Sequence, residues 1–325
     1  MNRQLNRRDF CGLAGVAASM VTPAFAQGSG RPIRLIVGFG AGTGPDVIMR
    51  IVAERMAQQL GQPILVDNKP GGEGIPAAQE AMRAPADGSA LYFGSGQSLI
   101  ATPILRAATG LPYDAFKDFT PVTQLGLFTL ALVAAPGLPV NNFGEFVAHV
   151  RSRPREYNFA TSSINNRLIS LQVITQYKLE MTHVPYKAET QGLLDLMANR
   201  VHMQSVSIAS GVPAHVRDGK LKVLFVQRGT RSTMLPDVPT AREVGADIRI
   251  SPWSGLFGPA GMPKALAERY AQAYRAAVSA DDVRQRFDQL GFEPVPTTPD
   301  EMAAMHRTEY EAFGKIVQEF AIKID

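Results

Sequence analysis

Cysteine is all but missing from this chain: Cys11 is the only one, and it falls in an N-terminal segment that reads as a removable leader. Without it the mature chain has no disulfide, no thiol nucleophile and no cysteine-ligated metal. Charge is scarce too, with Asp, Glu, Lys and Arg making up 19% of residues, and it hardly leans to one sign. The formal +4 includes three arginines and one aspartate in residues 1–26, so their removal leaves about +2 and no case for nucleic acid. Past the leader no apolar run approaches the ~20 residues that span a bilayer. No low-complexity tail or short internal repeat occurs either.

Catalytic and cofactor signatures are missing as well. His149, His183, His202, His215 and His306 are scattered, with no H-E-x-x-H and no short-range carboxylate cluster, so no metal is expected. Gly94-Ser95-Gly96-Gln97-Ser98 resembles a nucleophile elbow only superficially, because G-x-S-x-G is absent. Neither G-x-x-x-x-G-K-[ST] nor G-x-G-x-x-G occurs, so no nucleotide cofactor is expected. These absences argue against an enzyme.

The leader carries Asn6-Arg7-Arg8-Asp9-Phe10, which matches the twin-arginine pattern, although a Sec signal with a positive start reads similarly. A Gly/Ala-rich apolar stretch over 11–21 precedes Ala24-Phe25-Ala26, an A-x-A cleavage site before Gln27. Arg8-Asp9-Phe10 before Cys11 is no lipobox. Either route makes the protein an exported one, expected in the periplasm after a cut following Ala26.

The mature part opens on its most informative stretch, residues 32–74. An apolar β-type run over 33–39 breaks into Gly40-Ala41-Gly42-Thr43-Gly44-Pro45. A helical apolar period then begins at Asp46 with Val47, Ile48, Ile51, Val52 and Met56. A second β-type run over 63–66 ends in Asn68-Lys69-Pro70-Gly71-Gly72. Strand–loop–helix–strand units of this kind build parallel sheets, and ligands sit outside the carboxyl ends of such strands. Glycines there let N–H groups approach a ligand, and the helix start favours negative charge. Asp46 is expected to cap N–H groups. The stretch therefore predicts an anion site made mostly of backbone.

Strand-like runs recur at 90–94, 121–125, 130–134, 157–161, 181–184, 201–205, 221–226 and 248–250. Helical periods fall at 75–83, 142–151, 167–177, 189–198 and 212–218, then at 264–279, 281–290 and 298–320. The alternation predicts an α/β architecture. Extended segments around 123–134 and 248–257 read as two crossover segments between lobes. The domains expected are a signal peptide over 1–26, a discontinuous lobe over 27–128 and 250–325, and a second lobe over 129–249.

The chain resembles the substrate-binding receptors of tripartite tricarboxylate transporters, the Bug (Bordetella uptake gene) family. Matching pieces run through the mature protein in order: Pro32-Ile33-Arg34-Leu35-Ile36-Val37 with the glycine loop, Leu60-Gly61-Gln62-Pro63, and Val66-Asp67-Asn68-Lys69-Pro70-Gly71. Further on come Leu111-Pro112-Tyr113-Asp114, His183-Val184-Pro185-Tyr186-Lys187, Leu235-Pro236-Asp237-Val238-Pro239-Thr240 and Trp253-Ser254-Gly255-Leu256-Phe257-Gly258. The resemblance implies a type II-like two-lobed periplasmic binding protein, each lobe a mixed sheet flanked by helices. It implies a monomer that closes on a small carboxylate and delivers it to membrane permease subunits. A co-receptor presenting the carboxylate to a sensor kinase is the alternative.

The resemblance also implies that one carboxylate is held with ordered water by the first two glycine loops. Those residues are Phe39, Gly40, Ala41, Gly42, Thr43 and Asp46, with Gly71 and Gly72 close by. In the second lobe it implies the turn after residue 161, the helix start behind it and the loop after Tyr186. Here the chain departs from the family pattern. Ser162-Ser163-Ile164-Asn165-Asn166-Arg167 is about two residues shorter than usual and puts Asn165, Asn166 and Arg167 at the helix start. Ser162, Ser163 and Asn165 remain donors and caps. Arg167 either forks onto a distal carboxylate or faces solvent. Glu189 either repels a dianion, binds an amino group or, as preferred here, points to solvent, and His183 is read as structural. Trp253 and Phe257 read equally as cleft rim or as hinge or core.

Overall fold

The computed structural model describes residues 30–250 and 252–320. The twin-arginine motif and the Ala26/Gln27 cut therefore lie outside the described residues.

Strand β1 (Ile33–Val37) buries Ile33, Leu35, Ile36 and Val37, as a strand covered on both faces must. Helix α1 (Gly44–Leu60) follows and turns Ile48, Val52 and Met56 inward; Gly61 ends it in the left-handed conformation with φ +64°. β2 (Ile64–Asn68) returns parallel to β1, with Ile33 opposite Ile64. Helix α2 (Ile75–Met82) leads to β3 (Ala90–Ser95), parallel on the other side of β1. A π-turn over Gln97–Ala101 and the one-turn helix α3 (Thr102–Leu105) come next. The long strand β4 (Phe119–Phe128) then passes through Thr129 into β5 (Leu130–Ala134), which belongs to a different sheet.

The second sheet is filled in chain order by α4 (Phe143–Arg151), β6 (Tyr157–Thr161), α5 (Ile164–Gln176), β7 (Met181–Pro185), α6 (Glu189–Met197), β8 (Met203–Ser207), α7 (Val212–Arg217) and β9 (Lys222–Gln227). Its order is β7-β6-β8-β5-β9, with β6 parallel to both neighbours and β5 antiparallel to both of its own. The chain then re-enters the first sheet as β10 (Trp253–Pro259), antiparallel between β3 and β4. Helices α8 (Lys264–Ser279) and α9 (Asp281–Gln289), the edge strand β11 (Phe292–Pro294) and α10 (Pro299–Glu319) complete it. The first sheet thus has the order β11-β4-β10-β3-β1-β2. Both sheets mix parallel and antiparallel neighbours and carry helices, as an α/β protein does.

Most expected elements fall within a few residues of their places; the run at 248–250 does not. It forms no strand, because side chains of α5 take the N–H groups that a ladder would use. Gln176 Oε1 accepts from the Asp247 N–H at 2.9 Å, and Gln172 Oε1 from the Arg249 N–H at 2.8 Å. Trp253 and Phe257 belong to the core, both almost wholly buried and in edge contact with the buried His306 ring. Where β10 crosses β3, Gly255 stands opposite Gly94. A Cβ on Gly94 would lie 2.5 Å from Leu99 and 2.7 Å from Phe257, so the pair makes room for large side chains.

Candidate functional site

Two adjoining cavities lie where the carboxyl ends of the parallel strands face one another. The smaller, about 240 Å³, is lined by Gly38, Phe39 and Gly40 after β1, by Pro70, Gly71 and Gly74 after β2, and by Tyr92, Phe93, Ser95 and Ser98. The larger, about 460 Å³, is lined on one side by Thr102 and Leu105. On the other are Thr161, Ser162, Ser163, Ile164 and Arg167 after β6, with His183, Pro185 and Tyr186 after β7. Glu73 and Gln97 line both. Volume alone does not pick this place out: a hollow of about 540 Å³ sits at the inter-sheet passage beside Thr129, Arg228 and Ile250. The loops at strand carboxyl ends do.

The first glycine loop is braced from within. Thr43 Oγ1 donates to the Gly40 carbonyl at 2.7 Å. The almost fully buried Asp46 accepts from the Gly42 N–H at 2.8 Å, from Arg50 Nε at 3.0 Å and from Asn68 Nδ2 at 2.8 Å; Asn68 Nδ2 also reaches the Phe39 carbonyl. Burial pushes the Asp46 carboxyl up, but these donors outweigh it and hold it below the usual carboxylate range. Asp46 thus caps the Gly42 N–H of the loop, as expected of it, and spends its remaining capacity on Arg50 and Asn68, while Thr43 makes no side-chain cap of α1. Gly42 has φ +79°, and a Cβ there would meet nothing within 4 Å. The second loop is more unusual: Gly71, Gly72, Glu73 and Gly74 have φ of +97°, +51°, +57° and +88° in succession. Gly74 leaves no room for a side chain, its Cβ position being 2.9 Å from Ser98 Cβ.

In the second sheet Ser163 caps α5 by accepting from the Asn166 N–H at 3.3 Å. Arg167, in the first turn, lines the larger cavity, and its Nε is buried with no hydrogen-bond partner. No carboxylate among the described residues pairs with it. Glu189 corrects the sequence reading: its partly buried carboxylate is turned to protein partners and not to solvent, accepting from the Ser207 N–H at 3.2 Å, Ser210 Oγ at 2.5 Å and Asn166 Nδ2 at 3.3 Å. Burial is the larger influence and raises its pKa despite those donors. Tyr186 donates to Asp195 at 2.8 Å; burial and that bond push its phenol up to about 12. His183 lines the cavity, its Nε2 2.7 Å from Thr161 Oγ1.

Of the residues expected at the site, Phe39, Gly40 and Gly71 line the smaller cavity, and Ser162, Ser163, Arg167 and Tyr186 the larger. Ala41, Gly42, Thr43, Gly72 and Asn165 line neither, and Asp46 and Asn166 are turned to internal partners. Sequence reasoning passed over Glu73, Gln97, Thr102 and Leu105. A glutamate embedded in a run of glycines was the one visible sign for Glu73. Among the described residues no three His, Cys, Asp or Glu side chains converge as a metal site would need.

Two mixed α/β sheets, joined by two passages of chain and facing each other across a ligand-sized cleft, define a two-lobed periplasmic binding protein. The chain belongs to the tripartite tricarboxylate transporter family of receptors, whose family model matches residues 48–322. It is 28% identical over 318 residues to the protein BugT of Bordetella pertussis, covering 97% of this chain and 96% of that one. MatC of Rhodopseudomonas palustris, solved with bound malate, is 30% identical, with a TM-score of 0.73 over 88% of this chain and 99% of its own. A second R. palustris protein, solved with adipate, is 26% identical, with a TM-score of 0.79 over 90% of this chain and 98% of its own.

Proposed function

We propose that this protein is a periplasmic receptor that captures a small carboxylate in the inter-lobe cleft and delivers it to the permease subunits of a tripartite tricarboxylate-type transporter. The leader would be removed after Ala26, and the lobes would be 27–128 with 250–325 and 129–249. One carboxylate would meet N–H groups and bridging water at Phe39, Gly40 and Gly71, a site that needs no cation. The observation that carries a second anchor is Arg167: a guanidinium without a carboxylate partner, on the wall of the larger cavity, which meets the loop-lined one at Glu73 and Gln97. An unpaired arginine is poorly solvated there and gains a two-point contact when a distal carboxylate arrives. Ligand binding both lobes favours the closed form by its differential affinity, and the closed form is the one a permease would recognise. Malate and adipate in the two relatives make short dicarboxylates the first ligands to try.

Calorimetric titration of mature protein with matched mono- and dicarboxylates tests this. A dicarboxylate should bind at micromolar Kd or better, about −8 kcal/mol. Arg167→Ala should cost dicarboxylates about 2–4 kcal/mol while barely changing monocarboxylates. Equal small losses for both would return Arg167 to a solvent-facing role, and no binding of any acid would overturn the receptor reading.

A further inference from the structure

The receptor reading leaves Glu73 unexplained, and Glu73 stands where the two cavities meet. It has φ +57°, a left-handed backbone that a side chain disfavours and that its neighbours Gly71, Gly72 and Gly74 supply freely. Residues held in such conformations cluster at ligand clamps, where the surrounding structure holds them in place. One carboxylate oxygen is tied to Arg106 Nε at 2.8 Å, and Thr102 Oγ1 reaches the Glu73 carbonyl at 3.4 Å. The other carboxylate oxygen has no hydrogen bond among the described residues. Gln97, the other residue shared by the cavities, opens a π-turn, and its side-chain amide makes no hydrogen bond among the described residues. Insertions of that kind also concentrate at functional sites. Two independent backbone irregularities thus bring an acid and an unoccupied amide to the waist of the cleft.

The ion pair with Arg106 offsets the charge of Glu73, so what Glu73 offers a ligand is its second carboxylate oxygen, an acceptor that a plain dicarboxylate, with acceptors only, cannot use. It is right for a ligand that carries a positive nitrogen between its anchoring ends. Resting on the receptor reading, we propose that Glu73 and Gln97 select a carboxylate bearing an ammonium group. Glu73 supplies its open carboxylate oxygen and Gln97 its carbonyl oxygen as acceptors for the ammonium, while the glycine loops and Arg167 take the carboxylate ends.

Calorimetric titration with the pairs succinate/aspartate, glutarate/glutamate and adipate/2-aminoadipate tests this on the full mature protein. In at least one pair the amino member should bind ten-fold or more tighter. Glu73→Gly, which suits φ +57°, should erase that preference while leaving the plain diacid's Kd unchanged or lower, and its melting temperature reports that the loop still folds. Glu73→Gln, of the same size, should also lose most of the preference, and Gln97→Ala part of it. Plain diacids binding as well as their amino partners, or a preference that survives Glu73→Gly, overturns this inference while the receptor reading stands. If neither member of any pair binds, this inference falls, and the receptor reading falls with it only when no other carboxylate binds either.

Discussion

At the scale of the residue, the site is governed by which polar atoms are already spent. Asp46 gives its oxygens to Gly42, Arg50 and Asn68, so Asp46→Ala strands three donors and should cost about 1–3 kcal/mol in urea unfolding. Gly42→Ala should cost about 1–2 kcal/mol through its left-handed backbone alone, with dicarboxylate affinity kept, since the position opens into free space and its N–H serves Asp46. Glu189 makes the opposite case. Its pKa is raised in the fold, so its contribution to stability is present below the unfolded value near 4.5 and is lost as pH rises through the folded one. Glu189→Gln should therefore melt above wild type at about pH 7.5 and converge with it toward about pH 4.5. That Phe39, Gly40, Gly71 and Arg167 come to line cavities was legible, because glycine turns after strands and a helix-start arginine announce themselves by residue type. The inward turn of Glu189 was not, because Ser207 and Ser210 approach it only once β8 is paired, and the left-handed backbone of Glu73 was signalled only by the glycines around it.

At the scale of the element, periodicity showed nearly everything that packs one face at a time. Helix α1 and strands β1 and β2 appear in the sequence almost as they stand, since the apolar spacing of 33–66 is dictated by a sheet under a helix. Elements too short to show a period escaped: the π-turn at Gln97, the three-residue β11, and α3. The 248–250 run looked like a strand because Ile248 and Ile250 alternate with Arg249, and nothing local revealed that Gln172 and Gln176 would occupy its backbone. The glycine pair across β3 and β10 gives a test at this scale. Gly94→Ala would push a methyl into Leu99 and Phe257, so about 1–3 kcal/mol should be lost in urea unfolding, with the cleft's ligand preferences intact in the remaining folded protein.

At the scale of the whole molecule, the two sheets are tied by more than the passing chain. Arg228, just past β9, lies 3.6 Å from Asp288 and 3.4 Å from Glu293, both attached to the first sheet, with 13% of its side chain exposed. Arg228→Met should widen the spread of unliganded conformations in small-angle scattering, while a saturating dicarboxylate should contract wild type and variant alike. No contraction in either would count against closure as the mechanism. The sequence hinted at two passages but not at this brace, which depends on residues sixty apart meeting across lobes. The placing of β10 has its own consequence for how the protein is made. It supplies one of the two central strands of the six-stranded first sheet, yet it follows the entire second sheet in the chain. During synthesis β3 and β4 emerge with their inward edges unpaired and must wait for residues 129–252, on the order of ten seconds at typical elongation rates. The second sheet can form in that interval, whereas the first can pair only β1, β2 and β3, and the open edges of β3 and β4 are where a nascent chain would stick to others unless something shields them.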